Sequence, residues 1–272
     1  MSEYFQAFPP RYRGQGMTPS SLVKLGLYFG TSGAHAGRSL MLDDLDVLIK
    51  HAPEGANNAW FSNAILNENL LAKSSVNNRD HANRRMRQLY ALDSGTCLYR
   101  VFRGLYTADE SSHALLAVLM AMARDALFRK SADIVLPAPL GASFNSESFR
   151  QALDLVAAGR MGEETLKHAC SNVFNSWNQA GFLSSEKPRR RVSAPVGWAA
   201  VAFALFLGWL EGDRGRLLFE TCWAKVLDRD TDELLRLAAT ASRQGHLELL
   251  NAGGVIEVRF PGYLTNEELQ LP

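Results

Sequence analysis

The chain has 272 residues, 47% hydrophobic and 21% charged, as in a folded protein of one large domain or two to three small ones, and unlike a disordered or fibrous chain. Lys and Arg number 29 against 28 for Asp and Glu, so the net charge indicates no partner. Cys97, Cys170 and Cys222 have no paired spacing, which excludes a disulfide framework or a Cys-rich zinc site and fits a reducing compartment.

The first residues, MSEYFQAFPPRYRGQG, lack an apolar stretch before a small-residue cleavage site, so no signal peptide is expected and the cytoplasm is the default location. Gly26, Gly30, Gly33 and Gly37 invite a nucleotide-loop reading. No Gly-Lys-Ser/Thr follows and no strand precedes, so a glycine-rich loop packed on the first helix is expected. LMLDDLDVLIKH places Leu42, Leu45, Leu48 and Ile49 on one face, with acids in its first turns, and Pro53 and Gly55 end it. WFSNAILNENLLAK continues at helical spacing and a polar break, SSVNN, follows. In NRDHANRRMRQLYAL, Ala82, Met86, Leu89 and Tyr90 form one stripe while Asp80, Asn83, Arg84 and Arg87 form the opposite one. Three neighbouring helices with a basic third one suggest a helix-turn-helix-like arrangement.

Residues 97–130 read as two helices, with LLAVLMAMARDALFRK continuous and central. DIVLPAPLG connects to a helix capped by Asn145 or Ser146 and stopped at Gly159. In GEETLKHACSNVFNSWNQAGFL, Leu166, Ala169, Cys170, Val173, Phe174 and Trp177 face one side, and Lys167, His168, Ser171, Asn175 and Asn178 the other. Gly181 ends that helix. FLSSEKPRRRVSAP then reads as two short strands around a Lys-Pro-Arg-Arg turn, giving the order helix, helix, wing. Helices are expected near 196–210, 215–227 and 231–244, followed by a hairpin with an Ala-Gly-Gly turn. The apolar run 196–210 falls short of the roughly 20 residues a bilayer requires and reads as a buried core helix. The fold class is therefore mainly α, with winged-helix and helix-turn-helix modules and short β-hairpin wings. The expected segments are an N-terminal helix-turn-helix-like domain (1–95), a central winged-helix domain (96–195) and a C-terminal helical region with a terminal hairpin (196–272).

Charge is unevenly distributed. Residues 73–103 carry seven basic side chains and two acids, 186–191 add +3, and 207–272 hold seven basic residues against eleven acids. Of those first seven only Lys73 is lysine, and arginine's planar fork suits phosphate and guanine. Duplex DNA is a dense line of negative charge that such groups neutralise. The expected contacts are Lys73, Arg79, Asn83, Arg84, Arg85 and Arg87 on one helix and its approach, Lys167, Asn175 and Asn178 on another, and Lys187, Arg189, Arg190 and Arg191 on the wing. No catalytic, metal-ligating or cofactor-binding residue is expected. The six histidines are scattered, no Gly-x-Ser-x-Gly occurs, and acid pairs such as Glu163–Glu164 sit where helix first turns favour them. A protein–protein adaptor using its acidic C-terminal third is the alternative.

The run AILNENLLAKSSVNNRDHANRRMRQLYALD resembles the first segment of the BrxA family of BREX phage-defence accessory proteins. There, an "ENLL" helix end, a Ser-containing turn and an Arg-rich helix follow one another. NSESFRQALDLVAAGRMGEETLKHACSNVFNSWNQAGFL is similar to that family's second module, and the helical stretch closing on HLELLNAGGVIEVRF fits its C-terminal part. The resemblance spans roughly residues 18–260. It implies a non-catalytic winged-helix protein that binds double-stranded DNA beside a methyltransferase, a phosphatase-like protein and ATPases of the defence system.

Overall fold

The helically spaced apolar residues fold as twelve α-helices in the computed structural model, which describes residues 16–272. The expectation on the leader falls almost wholly outside that range. α1 (Pro19–Leu25) is capped by the Thr18 hydroxyl and stopped by Gly26 in the left-handed conformation. A single 3₁₀ turn (Ala34–Ala36) leads to α2 (Leu42–His51), α3 (Asn58–Leu66) and α4 (Val76–Tyr90). α5 (Cys97–Ala108), α6 (His113–Arg124) and α7 (Ala126–Val135) follow, then α8 (Arg150–Ala157) and α9 (Glu163–Gln179). α10 (Trp198–Leu210), α11 (Cys222–Val226) and α12 (Thr231–Arg243) precede a hairpin of β1 (Glu248–Ala252) and β2 (Val255–Arg259).

Two helices are apolar all round and accordingly lie inside. Every residue from Leu115 to Ala123 in α6 is at most 1% exposed, and Ala199 to Leu207 in α10 are fully buried. α10 packs on α5, α6, α11 and α12, and α6 supports α4 and α7. The buried apolar residues form one continuous cluster from Leu22 to Val258, drawing on all three segments expected from the sequence. Among the described residues no single helix is long and apolar enough to cross a membrane.

Local departures from the sequence reading have physical causes. The expected continuous helix 115–130 breaks at Asp125, whose carboxylate caps α7 through the Leu127 and Phe128 amides at 2.9 and 3.1 Å, and the chain turns by 119° there. α3 stops at Leu66, well before the expected end near residue 73. The connection to α4 runs over residues 67–75, longer than the three or four residues of a tight helix-turn-helix. The expected two-strand wing reduces to isolated bridges, Ser143 with Arg190 and Leu183 with Arg191. The expected helix 215–227 is a 3₁₀ segment (Gly215–Glu220) followed by short α11. The C-terminal hairpin forms as expected: Glu248 pairs with Arg259 through to Ala252 with Val255, and Gly253 and Gly254 both have positive φ, as a two-residue primed turn requires.

Candidate nucleic-acid interface

α4 has two sides. Ser75 caps it by accepting the Asn78 amide at 3.2 Å. Ala82, Met86, Leu89 and Tyr90 are buried, and the Tyr90 hydroxyl donates to the Leu40 carbonyl at 2.5 Å. On the outside, the Arg84 side chain is 60% exposed and, among the described residues, meets only Asp80 (3.4 Å) and His81 Nδ1 (3.2 Å). Arg87 is exposed and donates from Nε to Asn58 Oδ1 at 3.0 Å. Arg85 is half-buried, with Nη1 donating to Gln88 Oε1 at 3.0 Å.

Three residues expected in this group are placed differently. Asn83 is buried, not outward-facing: the buried arc is wide enough to include it, and Ser62 Oγ donates to its Oδ1 at 3.4 Å. Arg79 donates to the Leu66 carbonyl at 2.7 Å and so closes the C-terminus of α3. Lys73 is paired with Asp44 at 2.7 Å, tying the 67–75 connection to α2. These are structural uses of cations that the sequence pattern presents as available.

The residues expected on a wing depart more strongly from that expectation. Arg191 is 1% exposed: its Nε donates to the Val135 carbonyl at 3.1 Å, its Nη2 pairs with Asp228 at 2.8 Å, and its guanidinium lies 5.0 Å from the centre of the Phe182 ring. It is an anchor of the core and not part of an exposed tip. Arg189 is half-buried and donates to the Ser184 carbonyl at 2.7 Å. Arg190 and Lys187 remain exposed, Arg190 donating to the Gly141 carbonyl at 3.0 Å. They border a groove of about 450 Å³ that also includes Leu140 and Pro188. On α9, Lys167 and Asn175 are exposed and Asn178 is half-buried, as the helical pattern predicts.

Between α4 and α9 lies a feature the sequence did not reveal. His35 Nδ1 meets Asp125 Oδ2 at 2.8 Å, and His35 Nε2 meets Ser176 Oγ at 2.9 Å. This is the connectivity of a Ser–His–Asp relay, yet all three residues are fully buried. Ser176 Oγ is further occupied by the Leu40 amide (3.0 Å) and the Asn172 carbonyl (2.8 Å), and the His35 ring stacks on Phe128 at 4.4 Å. Burial by itself would push the Asp125 carboxyl up; the charge and hydrogen bonds of His35 and the α7 amides outweigh it and hold the group below the usual carboxylate range. The cluster clamps residues 33–40 against α7 and α9. A Cβ on Gly33 would overlap the Asp125 carboxylate, so this glycine serves close packing and not a nucleotide. The clamp holds Arg38, an exposed cation outside the sequence-expected set, beside α4. Its only sequence signal was a basic residue directly after the glycine-rich loop.

No group of three or more His, Cys, Asp or Glu side chains among the described residues could hold a metal ion. No family model, curated protein or solved structure matches the chain.

Proposed function

We propose that this chain binds double-stranded DNA as a non-catalytic accessory protein of the BREX type, acting in the cytoplasm beside a methyltransferase, a phosphatase-like protein or an ATPase. The observation that supports it is the outer side of α4. Arg84 and Arg87 stand exposed there, Arg38 and Arg85 adjoin them, and Asp80 is the only carboxylate in ion-pair range of the four among the described residues. Such a surface replaces the condensed counterions of a duplex and makes sequence-independent backbone contacts. In this reading α8, α9 and the 182–192 loop act as helix, helix and wing, with Lys167, Asn175, Lys187 and Arg190 as supporting contacts. The sealed state of Ser176, His35 and Asp125 favours a role without nucleophilic chemistry.

The test is a gel shift of a duplex at two salt concentrations. Arg84→Ala combined with Arg87→Ala is expected to weaken binding uniformly across sequences and to lower the salt slope by about 2, one unit for each phosphate no longer neutralised. Unchanged affinity and slope would refute the α4 surface as the interface. One observation favours an adaptor instead: Leu250 and Val255 stand exposed on the hairpin. An adaptor would show no salt-sensitive shift even as wild type.

A further inference from the structure

We propose that the cavity between residues 37–38 and residues 77–85 of α4 is a binding site for a phosphate group. The cavity measures about 310 Å³ and is lined by Gly37, Arg38, Asn77, Asn78, His81 and Arg85. A water occupies roughly 30 Å³ in the liquid, so a phosphate ester and several waters fit. Two guanidiniums, an imidazole and two amides line it, and no carboxylate does. Among the described residues neither Arg38 nor Arg85 has an ion-pair partner, and Arg84 stands beside them. The Arg85 guanidinium is held below its ordinary range by burial first, then by the neighbouring Arg84 and Arg38 charges. Asp125 opposes this, but its carboxylate is already taken up by His35. A concentration of cations without a facing anion is the environment that a phosphate completes.

The donors are also positioned in advance. A Cβ on Gly37 would lie 3.1 Å from Arg85 Nη2 and 3.2 Å from Nε, so the missing side chain lets the guanidinium pack close against the loop backbone. Gln88 takes Arg85 Nη1 at 3.0 Å, leaving Nε and Nη2 on the Gly37 side. Arg84 Nη2 donates to His81 Nδ1 at 3.2 Å, which makes Nε2 the protonated, donating nitrogen of that ring. Asn78 Nδ2 donates to Ser74, and Asn77 makes no side-chain hydrogen bond among the described residues. The His35–Asp125–Ser176 clamp fixes the loop that carries Gly37 and Arg38. Sites of this kind gain affinity because little ordering remains to be done on binding.

The proposal rests on the DNA reading only for the source of the phosphate: a backbone or 5′-terminal phosphate of the duplex, or a free one. The experiment titrates the full chain with inorganic phosphate and with pyrophosphate at constant ionic strength, following the backbone amides of Gly37, Asn77 and Asn78 and the Arg85 Nε resonance by NMR. Saturable shifts at these positions are expected, weakened by about tenfold or more in Arg85→Ala and in Arg38→Ala, both partly exposed sites whose loss leaves the fold intact. Arg85→Lys, which keeps the charge and loses the fork, is expected to lie between them and wild type. A parallel arm compares a duplex bearing 5′-phosphates with the same duplex bearing 5′-hydroxyls. Preference for the former, lost in Arg85→Ala, assigns the terminal phosphate. Equal affinity for both duplexes, with both weakened in Arg85→Ala, assigns a backbone phosphate. Saturable phosphate binding without duplex binding keeps the pocket and overturns the DNA reading. Duplex binding with no response to either phosphate probe, and unaltered by Arg38→Ala and Arg85→Ala, overturns the pocket and keeps the DNA reading.

Discussion

α4 and the 184–192 loop are both arginine-rich, yet they spend their arginines in opposite ways. On α4 the helix's own i→i−4 bonds satisfy the backbone, so among the described residues Arg84 and Arg87 have only weak or neutral partners and remain at the surface. In the loop regular pairing is limited to two isolated bridges and the backbone hydrogen bonds around them, and the arginine side chains add further ties. Arg189 and Arg190 bond the Ser184 and Gly141 carbonyls, and Arg191 is drawn fully inside to Asp228. A buried main-chain carbonyl needs a donor, and arginine has five. Local arginine count therefore measures available charge only where regular structure has already satisfied the backbone.

That contrast can be broken by experiment, and the largest effect belongs to the clamp that holds the 33–40 loop against α7 and α9, beside α4. Asp125→Ala leaves His35 and the α7 amides without their acceptor and is expected to cost about 3–5 kcal/mol in urea denaturation. The pH dependence has a definite sign. Because folding holds this carboxyl below its unfolded value, its stabilisation is present above the unfolded value and is lost as pH falls through the folded one. The stability gap between wild type and Asp125→Ala should therefore narrow in acid; a gap that widens there would contradict the assignment. Next in size, Arg191→Ala should cost about 3 kcal/mol by removing one member of a largely buried pair, while leaving the salt slope for duplex DNA unchanged. Arg84→Ala is the smallest in stability, within about 0.5 kcal/mol, because the side chain is mostly exposed. Its effect should appear in DNA affinity alone. If Arg191→Ala changed the slope and Arg84→Ala did not, the comparison of the two regions would be reversed.

Much of this was legible in the sequence, for identifiable reasons. α2, α4 and α9 follow from 3.6-residue periodicity and α10 from its unbroken apolar run, and the caps Asn145 and Gly181 and the Gly253–Gly254 turn from residue-specific backbone preferences. The break at Asp125 was masked because apolar residues continue at helical spacing on both sides of it, and a single capping carboxylate is a faint signal. Asn83 was misplaced because amphipathic reading splits a helix in two, whereas α3 covers a third flank of α4. The partners that settle the site come from far along the chain: Arg191 with Asp228, His35 with Asp125 and Ser176, and Arg38 beside Arg85. Local pattern carries no trace of such pairings, so the exposed set contracted from thirteen expected residues while gaining Arg38.

The measurement that bears most directly on the α4 surface is amide hydrogen exchange of the full chain with and without a saturating DNA duplex. Slowed exchange is expected across residues 34–40 and the first turn of α4, with no change in the β1–β2 hairpin. Protection confined to the hairpin, or none anywhere under saturating duplex, would contradict the account.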